Sequence, residues 1–568
     1  MSIIIETVQM SLRDGVSLAA DVYRPQTEAR VPVLVQRTPY DKDASVSPAI
    51  LRFVRAGYAV VLQDVRGRFA SAGDFTPFAH EAADGADTVA WAAAQPWSTG
   101  RVGMIGGSYV GATQWLAATQ APPALAAIAP SLTASNLRDH WVFHGGALEQ
   151  GFLRYWLFLS LLPNEIQRQI AQGNAESAMS VAAQDALDAL PAWYQADAVP
   201  LLTRFAPYYQ EWLNNAEDTS YWDALSPATN FAQITTPALN VGGWHDIFLK
   251  GTLANYQGMR ARGGSPSART HQHLIVGPWT HGVASGNFAE RDYGTRANLD
   301  AFDVVGRQIR WYDHWLRNLD TLHDSPVNYF VMGANSWRTA DAWPPPGTSL
   351  RPYYLHSDGH ANTAAGNGWL ASDVPAHEEA DTFLDDPRHP VPTLGGQTLL
   401  SGHGVAARAG PWDHRQSETR SDVLCYTTPP MARALEVIGP VTVVLFVASS
   451  ALDTDVVGRV LDVWPDGRAE IITDGIVRAR YRDGLAHPHL LQPHQVYEIH
   501  LDLGATAHAF LPEHRLRLEV TGSNFPRFDV NPHTGAGYGL EQTPVPAITT
   551  IAHDAQHPSH LLIAVMEA

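Results

Sequence analysis

The sequence predicts an α/β protein that carries a separate all-β domain at its carboxyl end. Three observations support this class. At 568 residues the chain exceeds the ~250–300 residues at which a single hydrophobic core stops growing. Strand and helix signals alternate over residues 1–135 and 234–344, as in a mostly parallel sheet covered by helices. Beyond residue 344, apolar and polar residues alternate with a period of two, which is typical of antiparallel strands.

The amino-terminal part supplies the first strands of the predicted sheet. A strand is expected at Ile3–Met10, and short apolar, β-branched runs follow at Val31–Arg37 and Tyr58–Gly67. The next elements are predicted as helix, strand, helix and strand, in the order Glu81–Gln95, Arg101–Gly106, Tyr109–Gln120 and Leu125–Ser131. Alternation of this kind builds a parallel sheet with helices on both faces.

The pattern changes between residues 136 and 233, where strand signals vanish and aromatic-rich helical stretches such as Gly151–Gln172 take over. Strands resume within Thr235–Phe248 and His271–Gly282, each followed by a glycine-containing turn, and a helix is expected near Ala301–Asn318. We therefore predict a discontinuous core of residues 1–135 and 234–344, with residues 136–233 inserted as a helical unit. Loops at the carboxyl ends of strands in such sheets gather ligands and catalytic groups.

The carboxyl-terminal domain is predicted to comprise residues 345–568. The proline cluster Trp343–Gly347 is interpreted as the linker into it, and Trp464–Gly467, "WPDG", is a hairpin turn signal. An all-β unit of this size is expected to form a sandwich or a jelly roll.

Composition excludes several classes of protein. The net charge of −19 argues against nucleic-acid or anionic-membrane partners, which require a basic face. Cys425 is the single cysteine, so an intrachain disulfide or a cysteine-based zinc cluster cannot form. The first residues lack the features of a signal peptide, and no run reaches the ~18 apolar residues of a membrane span. A cytoplasmic location is expected.

The stretch "GMIGGSYVG", Gly103–Gly111, resembles the nucleophile elbow of a serine hydrolase, G-x-S-x-G. An apolar strand leads into it and a helix leads out, and small residues precede Ser108, as a sharp turn requires. Val110 stands where the last glycine of that pattern belongs, and a glycine follows one place later. A glycine-rich turn with an incidental serine is the competing interpretation.

The remaining members of a catalytic triad are expected downstream in the order acid, then histidine. The turn after one predicted strand contains Asp246, and the turn after the next contains His281. Each alone has an ordinary explanation, a helix cap or a surface histidine, but their joint occurrence favours catalysis. His245 is the nearest decoy, and His271 and His273 are expected to be structural.

Other chemistries fit less well. The glycine cluster lacks the G-x-G-x-x-G spacing of a dinucleotide site and the G-K-[ST] of a phosphate loop, and the scattered histidines do not suggest a metal site. No metal or other cofactor is expected. A non-enzymatic module, a binding domain fused to a degenerate hydrolase, is the remaining alternative.

Seven stretches along the chain together resemble the bacterial cocaine esterase family, which is related to α-amino-acid ester hydrolases, glutaryl-cephalosporin acylases and X-Pro dipeptidyl peptidases. They are "RTPYDK", "LQDVRGRFASAGDF", "GMIGGSYVGATQW", "GGWHDIF", "LIVGPWTHG", "DTDVVGRVLDVWPDGRA" and "SNFPRFD". The resemblance covers nearly the whole length. It implies an α/β-hydrolase core with an inserted helical cap and a carboxyl-terminal jelly-roll domain.

The resemblance also implies roles for individual residues. The elbow of the family resembles G-x-S-Y-x-G, so Val110 is no defect and Gly111 is the expected last glycine. Ser108 would be the nucleophile, His281 the general base and acid, and Asp246 the residue that orients the imidazole. The backbone N–H of Tyr109 and the phenol of Tyr40 would form the oxyanion hole. Residues expected to line the acyl pocket are Trp141, Trp156, Phe248 and Leu400.

Two departures from the family pattern bear on specificity. Ser401 stands where the cocaine esterase pattern has a large aromatic residue, which predicts a wider or more polar acyl site. Lys42 stands where the amino-ester branch has a carboxylate, and a cation there is expected to repel a substrate ammonium group. We therefore predict a serine carboxylesterase that hydrolyses neutral acyl or aryl esters through an acyl-enzyme. The alternative is an α-amino-acid ester hydrolase, or a β-lactam acylase or X-Pro peptidase of the same family. Formation of a homo-oligomer is left open.

Overall fold

The computed structural model describes residues 2–188, 199–400, 409–538, 540 and 543–567. Two large sheets dominate it. The first contains ten strands, and a two-stranded ribbon, β7–β8, lies apart from it. In chain order these twelve strands are β1 Ile3–Ser11, β2 Ser17–Pro25, β3 Val31–Thr38, β4 Ala59–Asp64, β5 Ser98–Gly107, β6 Leu125–Ser131, β7 Phe143–His144, β8 Ala147–Leu148, β9 Ala238–Gly243, β10 Gln272–Gly277, β11 Val327–Val331 and β12 Ser336–Ala340.

The first sheet has the order β1-β2-β4-β3-β5-β6-β9-β10-β11-β12. The strands from β4 to β11 in this order run parallel, and antiparallel strands flank them at both edges. The sheet is buried on both faces. Val33 and Val35 of β3 face one hydrophobic cluster, and Leu34 between them faces another. The predicted mostly parallel sheet is therefore present.

Helices cover both faces of this sheet. One cluster packs the sheet against α2, α3 and α10, and the other packs it against α1 and α12. The helices in chain order are α1 Pro48–Arg55, α2 Glu81–Ala94, α3 Tyr109–Thr119, α4 Gln150–Trp156, α5 Leu162–Ala171, α6 Ala178–Asp188, α7 Val199–Phe205, α8 Pro207–Asn214, α9 Thr219–Leu225, α10 Leu249–Arg262, α11 Pro266–Thr270 and α12 Val304–Arg317.

The inserted segment, residues 136–233, differs in detail from the sequence prediction. The predicted helical stretch Gly151–Gln172 is helical but contains a π-helical turn, Leu157–Leu161, between α4 and α5. A short ribbon, β7–β8, also forms where no strand was predicted, because Gly145 and Gly146 adopt positive φ and allow a tight reversal. Strand β2 and helix α1 were not predicted.

The second sheet contains eleven strands folded around one apolar cluster. Strand β17 pairs with three others, β20, β22 and β23, and the predicted turn at Trp464–Gly467 joins β18 to β19. The strands are β13 Thr348–His356, β14 Trp369–Ala371, β15 Asp381–Asp385, β16 Leu424–Thr427, β17 Leu435–Ser449, β18 Asp455–Val463, β19 Ala469–Arg478, β20 Tyr497–Phe510, β21 Arg515–Thr521, β22 Ala547–Ala552 and β23 His560–Met566.

The all-β part holds the start of helix α4 in place. The Gly151 N–H donates to the Arg527 carbonyl at 3.0 Å, and the Arg527 guanidinium contacts Glu149 at 3.1 Å and Asp474 at 2.6 Å. All three side chains are buried. Burial raises the pKa of the Glu149 carboxyl to about 7, and the positive charge of Arg527 acts against that rise.

No helix in the part of the chain that the structure describes is long and apolar enough to cross a bilayer.

Candidate active site

Ser108 lies at the sharp turn between β5 and α3. Its backbone, at φ +61° and ψ −132°, is in a region that residues with a side chain rarely occupy. The Ser108 N–H donates to the carbonyls of Ser131 and Leu132, at 2.9 and 3.2 Å. The Ser108 carbonyl accepts from Gly111 and Ala112, so the strained turn is held from both sides. This arrangement exposes the Ser108 side chain to a cavity above the sheet.

The close packing of the turn explains which positions carry glycine. A Cβ on Gly106 would lie 2.2 Å from Val110 Cγ1, and Gly106 also has φ +122°. A Cβ on Gly111 would lie 2.8 Å from Thr133 Cβ and 3.0 Å from the Ser131 carbonyl oxygen. Val110 itself fits because its side chain packs over Gly106. Glycine is therefore required at 111 rather than at 110.

We expect Gly111→Ala to destabilise the protein by about 1–3 kcal/mol, because overpacking at this contact forces α3 away from the end of β6. The displacement also moves Ser108, so kcat should fall. Urea unfolding and ester hydrolysis measured on the same preparation test this. Gly537→Ala is the matched control for loss of a glycine, since its backbone is outside the positive-φ region and the nearest atom to a Cβ there, Leu540 Cδ1, lies at 3.6 Å, an ordinary contact distance. Unchanged stability in Gly111→Ala would contradict the packing account.

The turns after β9 and β10 bring Asp246 and His281 together. His281 Nδ1 lies 2.7 Å from Asp246 Oδ2, and Asp246 Oδ1 accepts the Phe248 N–H at 2.8 Å. Asp246 is completely buried, whereas the His281 side chain is 14% exposed. Both carboxylate oxygens are thus occupied, which fixes the imidazole with its Nδ1 towards Asp246 and its Nε2 edge away from it.

Ser108 and His281 line the same cavity. The hydrogen bond between their side chains is not formed in the described structure, where the Ser108 hydroxyl instead interacts with Tyr40. Catalytic hydrogen bonds of this kind often tighten when substrate binds. Ser108 and the paired His281 and Asp246 therefore meet at one cavity, which makes them the candidates for nucleophilic catalysis.

The neighbouring histidines do not reach this cavity. His245 is fully buried, with Nε2 3.3 Å from the Tyr293 hydroxyl, and burial lowers its pKa to about 3. His273 lies on β10 against Trp311, and burial lowers its pKa to about 4. Across the described ranges no group of three or more potential ligands is arranged to hold a metal ion.

Two hydrogen-bond donors stand near Ser108. The Tyr109 N–H belongs to the first turn of α3, where an amide has no acceptor within its own helix. The Tyr109 hydroxyl donates to Glu81 Oε1 at 2.7 Å, which anchors the ring away from Ser108. The Tyr40 hydroxyl accepts the Trp156 indole N–H at 2.9 Å, so its own proton remains available. Burial raises the pKa of Tyr40, which keeps the phenol neutral.

The cavity above Ser108 has a volume of about 740 Å³. Of the four residues expected to line an acyl pocket, Trp156 lies on its wall. Phe248 and Trp141 are buried behind, stacked on each other with ring centroids 4.4 Å apart, and Phe248 also packs against the His281 ring. Leu400 is buried next to Leu399, which lines the cavity. Ser401 lies outside the described residues.

Several lining residues were not identified from the sequence. They all lie in the predicted helical stretch Gly151–Gln172 and recur there at intervals of three or four residues. This spacing places them on one face of a helix and could have identified them from the sequence. These residues are Phe152, Tyr155, Leu159, Ser160, Pro163, Asn164 and Gln167. Phe69 and Gly282 complete the wall. With Trp156, the insertion thus contributes eight of the fourteen described residues around the cavity.

Comparison with known proteins gives matches along most of the chain. A model of the X-Pro dipeptidyl-peptidase (S15 family) matches residues 14–283, and a model of the X-Pro dipeptidyl-peptidase C-terminal non-catalytic domain matches residues 323–562. The chain is 39% identical over 576 residues to the cocaine esterase of Rhodococcus sp. (strain MB1 Bresler), covering 99% of this chain and 98% of that protein.

Two solved structures share the fold. An aminopeptidase from a marine sediment archaeon, Thaumarchaeota archaeon, superposes with a TM-score of 0.82 at 26% identity, covering 100% of this chain and 97% of that one. An α-amino acid ester hydrolase superposes with a TM-score of 0.82 at 23% identity, covering 99% and 96%. The second likeness shows the fold alone.

The fold, the elbow serine and these matches define a serine hydrolase with a carboxyl-terminal all-β domain. More narrowly, the chain belongs to the cocaine esterase family, within the wider group described by the S15 peptidase model.

Proposed function

We propose that this serine hydrolase is a carboxylesterase for small neutral acyl or aryl esters, with Ser108, His281 and Asp246 as its catalytic triad. Ester hydrolysis itself follows from membership of the cocaine esterase family. One observation carries this choice of residues. His281, which lines the same cavity as Ser108, lies 2.7 Å from the buried Asp246 carboxylate.

In this proposal the reaction proceeds through an acyl-enzyme. His281 Nε2 takes the proton of Ser108 as Oγ attacks the ester carbonyl, and the same nitrogen then protonates the departing alcohol. Asp246 stabilises the imidazolium that forms between these steps. A water molecule, activated by His281, attacks the acyl-enzyme and releases the acid. The Tyr109 N–H and the Tyr40 hydroxyl donate to the oxyanion in both halves of the reaction. No cofactor has a role in these steps.

The preference for neutral substrates rests on the cavity lining. Among the lining residues in the described ranges there is no Asp, Glu, Lys or Arg, and aromatic rings and amides form most of the wall. An ammonium group bound there would lose its hydration without a carboxylate in compensation. This disfavours α-amino esters and X-Pro peptides as substrates.

Lys42, in contrast, does not contribute to this preference in the predicted way. Its side chain is 7% exposed, and Nζ is held at 2.8 Å by Asp21 and at 2.6 Å by Asp43. Lys42 is not among the residues that line the cavity. The expected repulsion of a substrate ammonium by Lys42 is therefore wrong, because the charge is neutralised and lies elsewhere.

We further propose the finer architecture predicted from the sequence. Residues 1–135 and 234–344 would form an α/β-hydrolase core, residues 136–233 a cap, and residues 345–568 a jelly roll. The parallel strand order, the position of the helical insertion above Ser108 and the eleven-stranded second sheet support this division. The cytoplasmic location and the lack of nucleic-acid and membrane partners stay predictions, and cell fractionation tests the location. Whether the protein forms a homo-oligomer is left open, and light scattering tests it.

A matched substrate panel tests the proposed function. Aryl acetates, propionates and benzoates, the corresponding α-amino esters and X-Pro anilides are assayed with wild-type protein at equal concentration. We expect neutral esters to be hydrolysed with kcat/KM at least tenfold above the α-amino esters. A tenfold preference for α-amino esters would overturn the assignment of substrate class, and inactivity on the whole panel would overturn the esterase assignment.

Replacing Tyr40 with phenylalanine is expected to lower kcat by roughly 10²–10³-fold with little change in KM, because one donor to the oxyanion is lost while the ring stays in place. Steady-state kinetics on an aryl ester measures both constants. Tyr208→Phe serves as the control, since Tyr208 is a buried tyrosine that does not line the cavity. An unchanged kcat in Tyr40→Phe would remove Tyr40 from the oxyanion hole.

A further inference from the structure

Arg68 is a buried cation without an anionic partner. Its side chain has no exposed surface, and within the described ranges no carboxylate lies within 4.0 Å of its guanidinium. Three equally buried arginines, Arg37, Arg459 and Arg527, each have a carboxylate at 3.2 Å or less. Buried charges are ordinarily paired, because an isolated charge loses its hydration. The exception at Arg68 therefore needs an explanation.

Backbone carbonyls take the place of that partner. Arg68 Nε donates to the Pro39 carbonyl at 2.9 Å, Nη1 to Leu161 at 2.9 Å and Nη2 to Ser160 at 3.1 Å. The guanidinium also lies 5.0 Å from the centre of the Phe75 ring. All three nitrogens are thus satisfied by backbone carbonyls rather than by a carboxylate, and Glu165 acts on the charge only as a more distant anion.

These three carbonyls belong to the two elements that enclose the reacting atoms. Pro39 immediately precedes Tyr40, and Ser160 lies on the cavity wall within the π-helical turn Leu157–Leu161. A single guanidinium therefore fixes the loop that carries Tyr40 against the inserted segment. Lysine could not reproduce this arrangement, because its ammonium lacks the planar fork of donors.

The charge also acts on the Tyr40 hydroxyl. Burial raises the pKa of Tyr40, and the positive charge of Arg68 opposes that rise together with the contacts from Trp156 and Ser108. A positive charge in a dry environment interacts more strongly with a nearby developing anion than the same charge in water. Arg68 remains protonated even though burial lowers its pKa, since guanidinium groups are not deprotonated in proteins.

We propose that Arg68 is a positioning residue of the oxyanion hole, which fixes Tyr40 through the Pro39 carbonyl and supplies a positive charge, in direct contact with no carboxylate, that favours the oxyanion. Arg68 touches neither substrate nor Ser108 in this role; it acts through Tyr40. The inference rests on the proposed function, because it assumes that a negative charge develops beside Tyr40 during ester hydrolysis.

A double-mutant cycle between Arg68→Met and Tyr40→Phe tests this inference. In the wild-type background we expect Arg68→Met to lower kcat by about 10–100-fold, with KM changed by less than about threefold, because the effect is on the transition state. In the Tyr40→Phe background the same substitution should cost less than about threefold, because the residue through which it acts is already missing. Additive losses would overturn the proposal.

Two further variants separate this role from a merely structural one. Arg168 also ties the insertion to the loop after β4, through the carbonyls of Ser71 and Gly73, but it contacts neither Pro39 nor Ser160. Arg168→Met should therefore keep kcat within about threefold of wild type. Arg68→Lys should keep part of the activity that Arg68→Met loses, because it keeps the charge. Equal losses in Arg68→Lys and Arg68→Met, each with the same fall in melting temperature, would show a structural role alone.

Binding of an aryl boronic acid supplies an independent readout. The boronate forms a tetrahedral anion on the serine and so resembles the charged intermediate. The Kd of the boronic acid should rise in Arg68→Met by the same factor as kcat falls. The Ki of an uncharged substrate analogue that lacks an electrophilic carbonyl, and so forms no anion on the serine, should stay constant. Unchanged boronate affinity would overturn the proposal. Failure of the proposed function is recognised separately, because wild-type protein would then hydrolyse no ester.

Discussion

Ser108→Ala is expected to lower kcat on an aryl ester by about 10⁶-fold while leaving the fold intact, the size of loss seen when other serine hydrolases lose their nucleophile. The cause is local. In the proposed mechanism Oγ is the atom that attacks the carbonyl, and alanine should fit the strained turn as well as serine because backbone hydrogen bonds hold the turn. Residual activity should come from the oxyanion donors and the cavity alone.

A fluorophosphonate probe with mass spectrometry gives a direct measurement. The probe should label Ser108 in wild-type protein and fail to label Ser108→Ala. The chain offers a sharp internal control in Ser357, whose Oγ lies 3.3 Å from His553 Nε2, while His553 Nδ1 lies 3.2 Å from Glu378. Ser357 is completely buried and donates to Asp381, so it should remain unlabelled. Labelling of Ser357 with Ser108 unmodified would refute the assignment of the nucleophile.

Asp246→Asn should lower kcat by about 10⁴-fold at neutral pH, as the equivalent change does in other triads. The hydrogen bonds of Asp246 supply the reason. Oδ1 accepts the Phe248 N–H, so in the variant the amide oxygen must occupy that position. The amide NH₂ then faces His281 Nδ1 and donates to it, which places the imidazole proton on Nε2. In that tautomer His281 cannot accept the proton of Ser108.

Measurement of kcat/KM on one aryl ester across the pH range checks this expectation, with circular dichroism as the test of folding. His245→Gln is the control, because His245 is the adjacent residue and is buried against Tyr293 rather than against Ser108. Its activity should stay near that of wild type. If Asp246→Asn keeps more than a tenth of the wild-type activity, Asp246 is not the residue that orients His281.

Local sequence patterns were sufficient for much of the first sheet. The predicted strands at Ile3–Met10, Val31–Arg37 and Leu125–Ser131 correspond to β1, β3 and β6 within one residue at each end. β1 and β3 are rich in β-branched residues and β6 is a short apolar run, so their own composition was sufficient to predict them. Strand β2 was missed because Leu18–Tyr23 is continuously buried and shows no alternation, and α1 was missed because it is only eight residues long.

The candidate site was partly predictable for a different reason. Ser108, Asp246 and His281 follow predicted strands, and the geometry of a parallel sheet brings such positions to one edge. The cavity wall was not predictable in the same way. It depends on how the insertion folds back over the sheet, which is determined by long-range contacts such as those of Arg68 and Arg527. The prediction that Lys42 repels a substrate ammonium failed for the same reason. It could not anticipate the ion pair with Asp21, which is distant in sequence.

The contacts between Arg527 and the start of α4 have a consequence for biosynthesis. On the ribosome, the segments that contain Ser108, Asp246 and His281 emerge long before residue 527 is translated. Until then Glu149 and the Gly151 N–H lack the partners that fix α4 and, with it, Phe152 and Trp156. We therefore expect the nascent chain to hold the α4 wall of the cavity in its final position only after residue 527 has been translated.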